Sequence, residues 1–94
     1  MSRRALVWRI SFSASAEKQL GKLDRPVAQR ILTFLRERVA VLDDPRAIGE
    51  ALHGGELGEF WRYRVGDWRL ICEIQDKKIL ITVLSLGNRR EVYR

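Results

Sequence analysis

The sequence predicts an α+β fold: an N-terminal strand and a helical hairpin, then an antiparallel three-stranded meander, with the helices on one sheet face. Three observations lead there. Apolar residues alternate near the N-terminus, fall into a helical period through the middle of the chain, and alternate again from Phe60 onward. Gly66-Asp67 interrupts that last stretch as a two-residue loop suited to a tight hairpin. With 94 residues and 46% hydrophobic content, the chain suits one core, so residues 1–94 are expected to form a single domain.

Each element has its own justification. From Ala5, the residues Leu6, Trp8, Ile10 and Phe12 point one way and Arg9 and Ser11 the other, the pattern of a half-buried strand. Ser13 or Ser15 offers an N-cap for ASAEKQLGKL, where Ala16, Leu20 and Leu23 share a helical face. Pro26 fits the first turn of a second helix, whose apolar stripe is Val27, Ile31, Leu35, Val39 and Leu42. DDPR at 43–46 ends it, and HGGELGE at 53–59 is loop by composition. Strands follow at 60–65 and 68–75. Asp76-Lys77 gives a second reversal, which would pair Arg69 with Leu84. KILITVLSLG is then apolar on both faces, as a central strand is. A short tail, NRREVYR, completes the chain. Nothing in this order is left to cover the second face of the sheet.

Bulk chemistry narrows the partners. The formal net charge is +6, and 14 of the 18 basic residues are arginine. A planar guanidinium grips phosphate or carboxylate in a fork, so the expected partners are nucleic acid, an acidic protein, or both. Cys72 is the single cysteine, which excludes an internal disulfide and fits a reduced compartment and a structural role. The N-terminus alternates and is no signal peptide, and the longest apolar run, ILITVL, is too short to span a bilayer. A soluble cytoplasmic protein without a membrane partner is expected.

The hairpin concentrates the charge. Pairing around Gly66-Asp67 sets Arg64 opposite Arg69 and Arg62 opposite Ile71, so Arg62, Arg64 and Arg69 fall on one face. Tyr63, Val65, Leu70, Cys72 and Ile74 take the other face, the natural floor for the helices. Directly opposed like charges destabilise a sheet. An anion site accounts for the cluster better than a solvated charged face. Glu59, Asp67 and Glu73 are the acids able to neutralise it, and only Glu73 shares the strand face of Arg69. Phe60 lies on the arginine face too, where it either stacks on a base or packs at the sheet edge. Trp61 and Trp68 point toward the core. Beyond Gly87, Arg89 and Tyr93 stand one helical turn apart, unless the basic C-terminus is simply frayed. His53, the lone histidine, lies in the glycine-rich loop and is assigned no chemical role.

The runs ELGEFWRYRVGDWRLICEI and ILITVLSLGNRREVYR, together with WRISFSASAEKQLGKLDRPVAQRI, resemble the RelE/ParE superfamily of type II toxins across nearly the whole chain. The resemblance implies a RelE-like fold of two helices on an antiparallel sheet. For the RelE branch it implies a metal-independent endoribonuclease that cuts mRNA in the ribosomal A site and halts translation. It further implies a RelB-like antitoxin, encoded alongside, that masks the basic site. Carried over by position, the phosphate-binding pair falls on Arg62 and Arg64, with Arg90 adding charge nearby. The catalytic set falls on Arg69, Arg89 and Tyr93.

RNA supplies its own nucleophile, the 2′-OH, so no metal or cofactor is needed. The enzyme aligns that hydroxyl, accepts its proton and stabilises charge on the phosphoryl oxygens. Tyr93 can act as base only where guanidiniums lower a pKa that is ordinarily about 10. Arg89 holds its proton too tightly to donate it, and serves electrostatically. Asn88 stands where many relatives carry histidine and cannot do acid–base work. Two other readings stay open: a ParE-like inhibitor of DNA gyrase, and a non-catalytic basic module that binds antitoxin or RNA.

Overall fold

A computed structural model describes residues 7–52 and 59–88 of the chain. The elements run in the order β1 (Arg9–Phe12), α1 (Ala14–Gly21), α2 (Arg25–Phe34), β2 (Glu50–Ala51), β3 (Glu59–Val65), β4 (Trp68–Gln75) and β5 (Leu80–Asn88). The strands form one sheet in the order β1-β5-β4-β3-β2. Among the described residues no helix is long and apolar enough to cross a membrane.

Local chemistry explains the helix ends. Ser13, not Ser15, caps α1: its Oγ accepts from the Ala16 amide at 3.0 Å and donates to the Leu84 carbonyl at 2.9 Å, which ties the helix start to β5. Pro26 stands in the first turn of α2. The apolar stripe of α2 repeats every four residues, which outruns a 3.6-residue turn. A wider π turn at Leu35–Val39, closed by Ala40 N–H to the Leu35 carbonyl at 2.8 Å, takes up the difference and keeps Leu35, Val39 and Ala40 buried. Arg30, Arg36, Glu37 and Arg38 remain exposed.

Both helices lie on one face of the sheet. The core joins Ile31, Leu35 and Val39 to Tyr63, Leu70, Cys72, Ile74, Ile81, Val83 and Leu86. Phe34 meets Tyr63 edge to face, with ring centroids 6.1 Å apart. The Tyr63 hydroxyl donates to the Pro45 carbonyl at 2.6 Å, so this buried phenol has its partner.

Three features differ from the sequence-based expectation. First, the sheet is mixed, because β1 runs parallel to β5 with Ile10 opposite Ile81 and Phe12 opposite Val83. That pairing joins residues some 70 apart in sequence, so no local signal carries its direction. Second, Glu50–Ala51 pairs with Arg62 and Trp61 as a short edge strand. Third, Arg69 pairs with Gly87, not Leu84. The reversal is a 3-10 turn over Asp76–Lys78, followed by Ile79 in the left-handed region at φ +50°, and a bulge falls opposite Ile71/Cys72. The bulge moves the buried positions of β5 from Ile81 and Val83 to Leu86, so β5 buries one face only. Gln19 of α1 meets the displaced backbone by accepting from the Leu86 amide at 2.8 Å.

Candidate anion-binding face

The face of the sheet away from the helices carries four rows of side chains among the described residues, the outermost being Gln75, Leu80 and Arg9. Nearest the β3–β4 turn, Arg64 of β3 opposes Arg69 of β4, which opposes Gly87 of β5. The next row runs Glu50, Arg62, Ile71, Ser85, and the third runs Phe60, Glu73, Thr82, Ser11. Two residues of strand separate successive rows, about 6.7 Å. Arg64 is exposed, whereas Arg62 and Arg69 are half-buried.

The β3–β4 register is the one predicted from the turn. Gly66 takes the left-handed φ of +63° at the first loop position, where a side chain is rarely tolerated. The opposed pair Arg64 and Arg69 therefore exists, with Cβ atoms roughly 5 Å apart. Gly87 adds no side chain beside Arg69. Arg89, Arg90 and Tyr93 lie outside the described residues, as does His53. Asn88 is the last described residue and pairs with Trp68.

The acid that answers the arginines is Glu50, not one of the three expected from the sequence. Its Oε1 accepts a charge-assisted hydrogen bond from Arg62 Nη2. That bond, the Arg62 charge, and then Arg64 and Arg69 hold its carboxyl below the usual glutamate value. It is thus ionised at neutral pH and able to hold the Arg62 guanidinium in place. Arg62 Nε, by contrast, is buried and has no hydrogen-bond partner among the described residues.

Glu50 is delivered by a tightly held segment. Arg46 grips Asp76 at 2.6 Å and Asp44 at 3.2 Å, pinning the segment to the β4–β5 turn. Trp61 Nε1 donates to the Ile48 carbonyl at 2.7 Å. Gly49 has φ +89°, and a Cβ there would stand 2.6 Å from Trp61 Nε1 and 2.7 Å from the Arg62 carbonyl. Only glycine passes this point without strain. A cleft of about 340 Å³ opens beside it, lined by Phe34, Arg38, Glu50, Arg62, Tyr63 and Arg64 among others. A two-residue strand has no periodicity to detect. The one sequence signal for Glu50 was the arginine cluster itself, for which Glu73 was the single acid sharing the strand face.

Two other titratable groups are removed from the chemistry. Burial pushes the Cys72 thiol up to about 12 and also raises the Tyr63 phenol, and both face the core. What this face offers is three guanidiniums, with the Glu50 carboxylate bonded to Arg62 and the Glu73 carboxylate one row further on.

The family model described as the ParE toxin of type II toxin–antitoxin systems, parDE, matches residues 10–93. No curated protein sequence matches the chain. Among solved structures, the toxin–antitoxin complex RelBE2 from Mycobacterium tuberculosis aligns with a TM-score of 0.77 at 22% identity, covering 94% of this chain and 98% of that one. The archaeal RelE–RelB complex from Pyrococcus horikoshii aligns with a TM-score of 0.68 at 26% identity, covering 88% and 96%. The intact E. coli RelBE complex gives 0.65 at 27% identity, covering 86% and 95%.

Proposed function

The chain belongs to the ParE toxin family of type II toxin–antitoxin systems, and from that premise we propose that it is a ribosome-dependent endoribonuclease that cleaves mRNA in the A site. The observation that carries this reading is the set of Arg62, Arg64 and Arg69 on the face of the sheet away from the helices. Like charges are opposed there at a cost to stability, and a phosphate is the ligand that relieves it. Arg62 and Arg64 hold the backbone phosphate, with Arg90 adding to the positive field. Arg69 and Arg89 stabilise the charge that builds on the phosphoryl oxygens as the 2′-OH attacks. Tyr93 or Glu50 takes the proton of that hydroxyl, and Glu50 is the one already ionised at neutral pH. The new O2′–P bond displaces the 5′-oxygen to leave a 2′,3′-cyclic phosphate, and the departing oxygen takes a proton from solvent.

The partner is an acidic antitoxin, in keeping with the RelB-bound neighbours and with a net charge of +6. A toxin of this kind works on ribosomes and mRNA in the cytoplasm and has no membrane step.

Primer extension on an mRNA in a translation extract tests this with wild type and Arg69→Ala. Cuts in register with the reading frame, lost in the variant, are expected. An intact message and undiminished translation overturn the proposal. The second reading, inhibition of DNA gyrase, is favoured by the ParE description of the matching family and by asparagine at position 88. Supercoiling assays with purified gyrase separate the two.

A further inference from the structure

We infer that Glu73 is a specificity-determining residue that reads a guanine stacked on Phe60, one row beyond the arginines. This rests on the endoribonuclease reading and adds to it a base preference. Phe60 and Glu73 are directly opposed on β3 and β4, on the same face as Arg62, Arg64 and Arg69. Both are half-buried, so neither is a freely waving surface side chain. Among the described residues Phe60 stacks on no other ring, since the ring pair there is Phe34 with Tyr63. The Glu73 side chain makes no hydrogen bond or ion pair with another described residue.

Its neighbours explain why. Thr82, opposite Glu73 on β5, has its hydroxyl engaged with Ser11 Oγ at 3.1 Å and Gln75 Nε2 at 3.5 Å. Ile71 lies between Glu73 and Arg69 on that face of β4. The result is a carboxylate beside an aromatic ring, with no cation in its row.

The spacing suits one nucleotide. Phe60 lies two residues from Arg62 along β3, about 6.7 Å, a span that a ribose bridges between a held phosphate and its base. Stacking on Phe60 accepts any base, so the choice falls to Glu73. In a single strand the Watson–Crick edge is open to side chains. A carboxylate only accepts hydrogen bonds. Guanine alone presents two adjacent donors, N1–H and the 2-amino group, which fit both carboxylate oxygens. Adenine and cytosine set one amino donor beside a ring-nitrogen acceptor, and uracil flanks its single N–H with two carbonyl oxygens. Each of those opposes the second carboxylate oxygen.

The test uses bacterial ribosomes halted at a start codon with the A site vacant. Synthetic mRNAs carry guanosine, inosine or uridine at each A-site position in turn. Inosine lacks only the 2-amino group. The wild-type chain is expected to cut the guanosine message roughly tenfold faster than the inosine one at one position. Glu73→Gln should cut both alike, and Phe60→Leu should slow cleavage for all bases at that position equally. Equal wild-type rates on guanosine and inosine at every position overturn the assignment, as does a preference that survives Glu73→Gln. So does a Glu73→Gln variant that merely speeds cleavage of every message by the same factor, which marks Glu73 as a charge that repels phosphate. If the wild type makes no in-frame cut in any message, the endoribonuclease reading itself fails and this assignment falls with it.

Discussion

The two faces of the β3–β4 hairpin share one backbone and carry opposite chemistry. Toward the helices, Tyr63, Leu70, Cys72 and Ile74 are almost wholly removed from water. On the reverse, Arg62, Arg64, Arg69 and Glu73 stand with no helix of the described residues over them. Strand alternation alone separates the sets, so neighbours in sequence have unrelated physical roles. Stability is concentrated on one face. The other tolerates a repulsive arginine pair because the core beneath it holds the strands in register.

Leu70 and Arg69 are adjacent, and replacing each by alanine should break the comparison most sharply. Leu70→Ala removes a fully buried side chain from the core and should cost about 2–5 kcal/mol in denaturant unfolding. For a small domain that is much of the total stability. Arg69→Ala should leave unfolding within about 0.5 kcal/mol of wild type. Its loss should appear in mRNA cleavage, by roughly 10²–10³-fold, the usual effect of deleting one oxyanion donor. Equal destabilisation by the two variants would mean that the faces are not separable.

How much of this was legible beforehand follows from the same alternation. Gly66-Asp67 fixes the hairpin register, and register fixes which arginines share a face, so the cluster could be read from residues 60–75. The helices were legible through Ser13, Pro26 and the stripe from Val27 to Val39. The second reversal was not. Ile79 takes a left-handed φ without being glycine or asparagine, and the bulge opposite Ile71/Cys72 has no compositional mark, so counting back from Asp76-Lys77 missed the partner of Arg69 by three residues. Glu50 was missed because its strand is two residues long and its partner lies twelve residues on. Local chemistry announced the cations, and only the tertiary structure supplied their acid.

Gly49→Ala tests the link between the two. A Cβ at φ +89° would clash with both the Trp61 indole and the Arg62 carbonyl, so both must shift. The expected cost is about 1–3 kcal/mol in unfolding. Because the strain falls on the residue before Glu50, cleavage should drop along with stability. The nearby Ala51→Gly, with no such clash to relieve, should change unfolding by roughly 1 kcal/mol or less.

The smallest expected effect is the most selective. Arg62, with Arg64 and Arg69 behind it, depresses the folded-state pKa of Glu50 below its ordinary 4.5. A depressed carboxylate stabilises the fold at pH values above its unfolded pKa, and that contribution fades as pH falls through the lower, folded value. Glu50→Gln abolishes the charge at every pH. The melting temperature of wild type should therefore exceed that of Glu50→Gln by a small margin at pH 7, and the margin should close as acid protonates Glu50. Because the Glu50 carboxylate is solvent-exposed, added salt should narrow the margin at neutral pH as well. A margin that persists unchanged as pH falls far below the ordinary glutamate value would show that Glu50 acts through packing and not through Arg62. A reversed margin at neutral pH would mean that the arginine face is better relieved by solvent than by its own acid, and that Glu50 is kept there for chemistry alone.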